Sequence, residues 1–503
     1  MQSSYRSIRP CLTSNVKTLT RLQSRSLATA AQQSFFADEP TAPHLVSQSI
    51  PGPSSSQISQ VIASFQEERA HQFVVDYEKS VGNWIVDVDG NTMLDMFAQI
   101  ASIAIGYNHP RLLELARSDE FIKATMNRPA LGSFPPAKWA EWIETGLLAN
   151  DVRPKGLDHL FTAMCGSCAN ETAFKAVFMA YRARERGEGV SFTPEELDSC
   201  MRNQKPGAPD LSILSFTKAF HGRLFGSLSA TRSKAVHKID IPAFDWPVCP
   251  WPAVKYPLDK FAAENAKAEQ DALNIVEQTI IKQREIKPVA GLIVEPIASE
   301  GGDQHASPAF FQGLRELTQR LGVFMIVDEV QTAMATGSLW AHSKWNLPTP
   351  PDAVTFSKKL QAAGFYHNLD LKASLPYRNF NTWLGDPTRA LQAREILRVV
   401  REDNLLDNTA KVGAYIYENL ENFTQSNGKG KMFNLRGKDQ GTFIAWDAET
   451  PEKRDEVIKK MRSKGVHLGG CGEQAIRLRP MLVFQKHHAD IFLENLSNVL
   501  KEI

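Results

Sequence analysis

Cysteine is scarce in this chain, six residues in 503. That is too few for a disulfide framework, so a packed core must hold the fold. No run of about 18 apolar residues occurs, which leaves nothing to read as a membrane-spanning helix. Neither sign of charge dominates, with 57 Lys and Arg against 56 Asp and Glu. A balanced chain gives no reason to expect nucleic acid as its main partner. The sharpest absence is local. Residues 1–37 contain no acidic residue, yet they carry Arg6, Arg9, Lys17, Arg21 and Arg25 and seven serines. Basic, Ser-rich and acid-free is the composition of an organelle transit peptide, and the missing apolar stretch argues against a secretory signal. A cut within Ser26–Ala31 is expected.

What remains is ordinary for a soluble globular protein, 43% apolar and 22% charged. The length allows two to four lobes, at roughly 100–200 residues each. Residues 40–57, rich in Pro and Ser, read as an arm and 58–69 as a short helix. Phe73–Tyr77 and Trp84–Val88 read as strands, with a turn at Asp89-Gly90-Asn91. From about residue 110 the pattern changes to short apolar runs separated by amphipathic stretches. The runs are Leu211–Phe216, Val289–Val294, Val323–Val327 and Ala353–Phe356, and the stretches include 171–185, 264–284 and 308–321. Such alternation predicts βαβ units and a mostly parallel sheet. Residues 187–210 read as an inserted loop. From about 388 come helices over 388–402, 405–424, 451–464 and 488–502 and strands at Thr442–Trp446 and Ala475–Leu478. These predict an α+β C-terminal domain. The expected division is a transit peptide (1–37), an N-terminal arm and subdomain (38–109), a large domain (110–387) and a small domain (388–503).

Three apolar runs end directly in polar groups: Val294 before Glu295, Val327 before Asp328, and Phe356 before Ser357-Lys358-Lys359. In open α/β sheets ligands bind beyond the carboxyl ends of strands. A carboxylate and an amine delivered to one cleft suit pyridoxal phosphate: the lysine holds the aldehyde as a Schiff base, and the aspartate keeps the ring nitrogen protonated. A structural ion pair fits the same two residues. Met164-Cys165-Gly166-Ser167-Cys168-Ala169-Asn170-Glu171 opens a helix, whose free N–H groups suit a phosphate, though an ordinary capped helix start reads the same way. Phe220-His221-Gly222-Arg223 follows a strand; there an aromatic ring, an imidazole and a guanidinium could stack on a flat ring and reach an acid.

Taken in this order, these motifs resemble the class III pyridoxal-phosphate aminotransferases of fold type I, and more closely the mitochondrial 4-aminobutyrate aminotransferase (GABA transaminase) subfamily. The resemblance runs from about residue 70 to 503. It is carried by Cys165–Glu171, Phe220–Gly226, Ser233–Trp246, Val294–Asp303, Val327–Gln331, Thr355–Lys359, Phe380–Pro387 and Leu468–Pro480. It implies a large domain with a mostly parallel sheet flanked by helices, and a smaller α+β domain built from N- and C-terminal segments. It implies transfer of the amino group of 4-aminobutyrate to 2-oxoglutarate, in a homodimer of the mitochondrial matrix with no nucleic-acid or membrane partner. Lys359 is expected as the Schiff-base lysine, because the family's lysine precedes three residues and a small-Gly pair, here Ala363-Gly364. Asp328 is expected on the ring nitrogen, Gln331 at the phenolic oxygen, Phe220 and His221 at the ring, and Gly166 and Ser167 at the phosphate. Thr382 is expected to reach the phosphate from the second subunit. Ile100, Arg223, Glu300 and Arg477 are expected to bind substrate. Arg223 would grip the distal carboxylate and Arg477 the α-carboxylate of glutamate, while Glu300 would pair with Arg477 when 4-aminobutyrate is bound.

The chain departs from the family at Ala333-Met334-Ala335-Thr336, where glycines are common, and at Ala363. Added methyls there are expected to narrow the site or shift a loop. Cys165 and Cys168 form a C-x2-C pair. In some animal members the matching cysteines of two subunits hold an iron–sulfur cluster; a [2Fe-2S] half-site and two free thiols are both open readings. His487-His488 reads as a surface helix start. Two further functions stay open: an aminotransferase for ornithine, β-alanine or another ω-amino acid, and a non-catalytic scaffold. The intact Lys359, Asp328 and Gln331 count against the scaffold.

Overall fold

A computed structural model of the chain describes residues 35–187 and 189–503. The expected transit peptide lies outside the described residues as far as residue 34.

Two short strands, β1 (Trp84–Val86) and β2 (Thr92–Asp95), form an antiparallel pair around the Asp89–Asn91 turn. The large sheet follows with seven strands: β3 (His159–Ala163), β4 (Ser212–Phe216), β5 (Val248–Cys249), β6 (Val289–Val294), β7 (Phe324–Asp328), β8 (Ala353–Phe356) and β9 (Ala363–His367). Their order is β3-β9-β8-β7-β6-β4-β5, and only β9 runs antiparallel to its neighbours. The expected mostly parallel α/β sheet is therefore present. β4, β6, β7 and β8 are buried along their whole length, which is why they read as continuous apolar runs. The helix Gly166–Arg186 lays Phe174, Ala176 and Val177 against Ile213, Ile293, Phe324 and Ile326 of that sheet. Each such fully buried large apolar side chain contributes about 1.5–3 kcal/mol.

The remaining strands are β10 (Phe433–Arg436), β11 (Ile444–Asp447), β12 (Val466–His467), β13 (Gly469–Cys471) and β14 (Ala475–Leu478). β10-β11-β14-β13 make an antiparallel sheet, while β12 joins β2 in parallel. Trp84, Leu94 and Met96 share one core with Ile416, Trp446, Ile476, Phe492 and Leu496. N- and C-terminal segments thus build one small lobe together.

Several local expectations need correction. The first helix is Pro53–Ala63, begun by a proline in its first turn, and not 58–69. Phe73–Tyr77 is no strand; its backbone pairs only at the isolated bridge Val75–Asp87, with Asp76 N on Val86 O and Val88 N on Val74 O. Residues 187–210 contain a helix, Pro194–Cys200, closed by a capping box between Thr193 and Glu196 that was legible in Thr-Pro-Glu-Glu. β3 and β9 went unread.

The two departures from family sequence are absorbed by the core. Ala363 packs with Ala163, Ala169 and Cys168, and Ala335 with Ile297 and Phe443. Only Met334, at φ 65°, occupies backbone that favours glycine. His488 is fully buried and not on the surface: its Nδ1 accepts from Gln485 N at 3.1 Å, and Nε2 lies 3.3 Å from Glu39 Oε2.

Candidate active site

β4, β6, β7 and β8 are consecutive neighbours in the sheet, so residues at their carboxyl ends converge. The register sets Val294 beside Val327 and Asp328 beside Thr355. Glu295, Asp328 and the Ser357–Lys359 turn therefore stand along one edge.

Asp328 is 3% exposed. Its Oδ2 accepts from His221 Nδ1 at 2.8 Å and Asn170 Nδ2 at 2.9 Å, and its Oδ1 from Val330 N at 3.0 Å. The Asn170 amide also donates to His221 O, tying the helix to the Phe220–Arg223 loop. These donors orient a buried carboxylate that has no Lys or Arg on it among the described residues, a costly arrangement unless a cationic group is meant to meet it. His221 Nε2 is buried and has no hydrogen-bond partner among the described residues.

Glu295, which the sequence left without a role, is also buried. It accepts from Phe220 N at 2.9 Å and Ser299 N at 3.1 Å. Burial first, then the charge of Asp328, pushes its carboxyl up to about 8.

The helix Gly166–Arg186 starts with no side-chain cap, leaving first-turn N–H groups free for an anion. The approach around it is tight. A Cβ on Gly222 (φ 122°) would come within 2.2 Å of Ser167 Oγ, and one on Gly166 within 2.8 Å of Val330. Ser167 Oγ in turn accepts from Arg223 N at 3.2 Å.

The structure separates the two lysines. Lys359 is 1% exposed, and its Nζ donates to Pro480 O at 3.0 Å and Ile103 O at 3.4 Å. Burial, with Arg479 nearby, lowers its pKa to about 7. Lys358 is half-buried and donates to Ile100 O at 2.9 Å. Burial, then Arg477 and Arg479, lowers it to about 8. Lys358 and Gln361 bracket Lys359 with φ of 48° and 53°.

Ile100 lies on an unusual turn. Ala98, Gln99, Ile100 and Ala101 all adopt left-handed backbone, at φ 46°, 54°, 58° and 63°. Left-handed conformation costs about 1–2 kcal/mol per non-glycine residue, so anchoring is required. Asp95 supplies it, accepting from Phe97 N and Ala98 N at 2.9 Å each and from Tyr107 Oη at 2.7 Å. Ile100 itself stays 50% exposed.

Glu300 and Arg477 form the expected pair, at 3.0 Å. A second cation was missed: Lys234 Nζ lies 3.0 Å from the other Glu300 oxygen. Burial works to raise the Glu300 carboxyl, but Arg477 and Lys234 outweigh it and hold it below the usual range. Gln331 Oε1 accepts from Arg479 Nε at 2.9 Å and Arg477 Nη1 at 3.4 Å. Arg479, also missed, is buried against Asp303 and the Phe443 ring. Arg223 is exposed beside the Phe220 ring and His237, and among the described residues it has no carboxylate partner. Thr382 is exposed.

Cys165 is exposed at the helix start, and burial raises the Cys168 thiol. Among the described residues the only trio of close metal-ligating atoms is Glu39, His487 and His488, so the cluster reading gains no support.

A model of the "Aminotransferase class-III" family matches residues 65–500, and the chain belongs to that family. It is a pyridoxal-phosphate-dependent aminotransferase. It is similar to the 4-aminobutyrate aminotransferase of Mycosarcoma maydis, 62% identical over 476 residues that cover 93% of each chain. It is also similar to the mitochondrial 4-aminobutyrate aminotransferase of Sus scrofa, 47% identical over 460 residues and 91% of each. Among solved structures, the lysine aminotransferase from M. tuberculosis superposes with a TM-score of 0.77 at 28% identity, covering 88% of this chain and 98% of that one.

Proposed function

We propose that this chain transfers the amino group of 4-aminobutyrate to 2-oxoglutarate, giving succinate semialdehyde and L-glutamate, as a homodimer in the mitochondrial matrix. The observation that carries the substrate reading is the Glu300–Arg477 pair at 3.0 Å, together with an Arg223 that has no carboxylate partner among the described residues. The pair neutralises one arginine and leaves the other for an acid. 4-Aminobutyrate has one carboxylate, far from its amine. Glutamate adds a second on the reacting carbon. Arg223 grips the distal carboxylate of both through parallel N–H bonds. Arg477 takes the α-carboxylate of glutamate once Glu300 yields it, and Lys234 gives Glu300 a cation to stay on. A test is single-turnover spectroscopy with Glu300→Ala. The 4-aminobutyrate half-reaction is expected to lose at least tenfold more than the glutamate half; equal losses would remove the switch. A panel of 4-aminobutyrate, β-alanine and ornithine on the same protein checks the substrate.

The cradle fits pyridoxal phosphate. The uncapped helix start at Gly166 and Ser167 offers N–H groups to its phosphate, and the oriented Asp328 waits for a ring cation. When bound, the cofactor supplies an electron sink for the carbon that loses its proton. Asp328 would hold negative charge for the ring nitrogen, with His221 and Asn170 fixing its direction. Phe220, its backbone N–H held by Glu295, would pack on the ring, and Gln331 would serve the phenolic oxygen. Lys359 would supply the amine that holds the cofactor and the group that moves the proton at the reacting carbon. Attachment needs a neutral amine. With its pKa lowered to about 7, Lys359 is charged below and neutral above that value. Cofactor uptake by the apoprotein is expected to quicken up to pH about 7 and then level. A rate still climbing toward pH 10 would contradict it.

The dimer is supported by large exposed apolar side chains at Phe225, Val236, Ile239, Phe244, Tyr377 and Trp383. Thr382, next to Trp383, would complete the phosphate site of the second subunit. Sedimentation should give twice the chain mass; an active monomer would refute the composite site. The location is supported by the acid-free N-terminus and by the mitochondrial name of the Sus scrofa relative.

A further inference from the structure

We propose that Lys358 is a positioning residue: it pins the left-handed turn that carries the exposed Ile100, and so governs the handling of a substrate whose reacting carbon carries no carboxylate. The proposal rests on the 4-aminobutyrate reading above.

Two strained turns face one another. One is Ala98–Ala101, the other Lys358–Gln361. Side chains of the second hold carbonyls of the first: Lys358 Nζ to Ile100 O at 2.9 Å, and Gln361 Nε2 to Ser102 O at 2.6 Å. The first turn is anchored at its start by Asp95. Within itself it has Ala101 N on Phe97 O and both Ser102 N and Ile103 N on Ala98 O. At its middle the Gln99 side chain donates to Tyr107 Oη at 3.0 Å, and Lys358 ties the backbone itself.

The position is a poor one for a third cation. Arg477 and Arg479 both disfavour the Lys358 charge, and Glu300 and Asp328 offset them and the burial only in part; like charges repel strongly where burial weakens screening. A methionine-like chain would fill the same volume without that repulsion. The ammonium therefore has a task, and its hydrogen bond goes to Ile100 O.

That task bears on substrate through Arg477. The Phe97 ring, at the head of the turn, lies 5.4 Å from the Arg477 guanidinium. Glutamate is fixed at its reacting carbon by a carboxylate on Arg477. 4-Aminobutyrate has no group there to hold, and its orientation depends on apolar walls such as Ile100. Misorientation of a reacting carbon by about 1 Å can cost on the order of a hundredfold in rate. A loosened turn should harm the 4-aminobutyrate half-reaction selectively.

The test uses the holoenzyme with Lys358→Met, and Lys358→Gln should the first not fold. Hydrogen exchange at the amides of Ala101, Ser102 and Ile103 is expected to quicken at least tenfold. The kcat/KM of the 4-aminobutyrate half-reaction is expected to fall at least tenfold, against less than threefold for glutamate. Lys358→Arg should restore the ratio to within threefold of wild type. Ile100→Ala should reproduce the asymmetry, and the double variant should be no worse than either single one, since both act through one turn. Equal losses in both halves, unchanged exchange, additive losses, or failure of both variants to fold would overturn the proposal. If the wild-type enzyme ignores 4-aminobutyrate, the functional reading fails instead, while the exchange measurement still reports on the pin.

Discussion

Lys359→Ala is expected to lower turnover by about 10⁴-fold or more, because one residue supplies both the covalent attachment and the proton transfer. The variant should still fold. Among the described residues the Lys359 amine makes two hydrogen bonds, to Pro480 O and Ile103 O, and removing a buried amine with a lowered pKa relieves an unfavourable charge. It should also take up the cofactor without covalent attachment, since the phosphate and ring contacts come from other elements. Lys358→Ala should lose far less and keep the attachment. Reduction with borohydride followed by mass spectrometry reads this directly. A cofactor-bearing peptide modified at Lys358 in the wild-type protein would reverse the assignment.

Asp328→Asn is expected to cost about 3–5 kcal/mol, the usual consequence of removing one member of a buried charge pair, or roughly 10²–10⁴-fold in turnover. The geometry sharpens this. Oδ2 accepts from both His221 and Asn170. An asparagine must either turn its NH2 toward those donors or give up the remaining oxygen's place opposite the ring nitrogen. Asn170→Ala keeps the charge and loosens only its direction, so it should lose about tenfold, in line with one hydrogen bond to a charged group. Presteady-state rates with both substrates separate the two cases. An Asp328→Asn enzyme within tenfold of wild type would remove the carboxylate from its role.

What could be read from sequence follows from burial. β6, β7 and β8 lie in the middle of a parallel sheet with both faces covered, so they stand out as apolar runs, and the polar residue ending each marks the ligand edge. β3 carries two polar residues, His159 and Thr162, and is half-buried over four of its five residues, so it has no such contrast. β9 has a glycine as its second residue because a Cβ on Gly364 would come within 2.2 Å of Phe161 O, and glycine reads as a strand breaker. The left-handed turn was invisible for the opposite reason. Ala98-Gln99-Ile100-Ala101 has no glycine and would be read as helix; the anchoring by the neighbouring Asp95 and by Lys358, 258 residues further on, selects the conformation. Lys234 was missed because nothing local ties it to Glu300. Motif resemblance supplied Glu300 and Arg477, and the structure adds the cation on Glu300's other oxygen.

The shared core of the small lobe also dictates an order of events. Asn83 donates to Val483 O across 400 residues of chain, and β2 finds its parallel partner only in β12. A ribosome releases Trp84, Leu94 and Met96 long before Ile476 or Phe492 exists. The large sheet closes mainly among residues 159–367 and can form while the rest is still being made. The β1–β2 pair can form early, but its outer edge and its apolar face must stay uncovered until β12 and the last helix arrive. Contacts so distant are the slow ones to make, and uncovered strand edges are the ones that aggregate meanwhile. Refolding from denaturant should therefore give a compact large lobe before the ends of the chain meet, and chaperone dependence should concentrate in that interval.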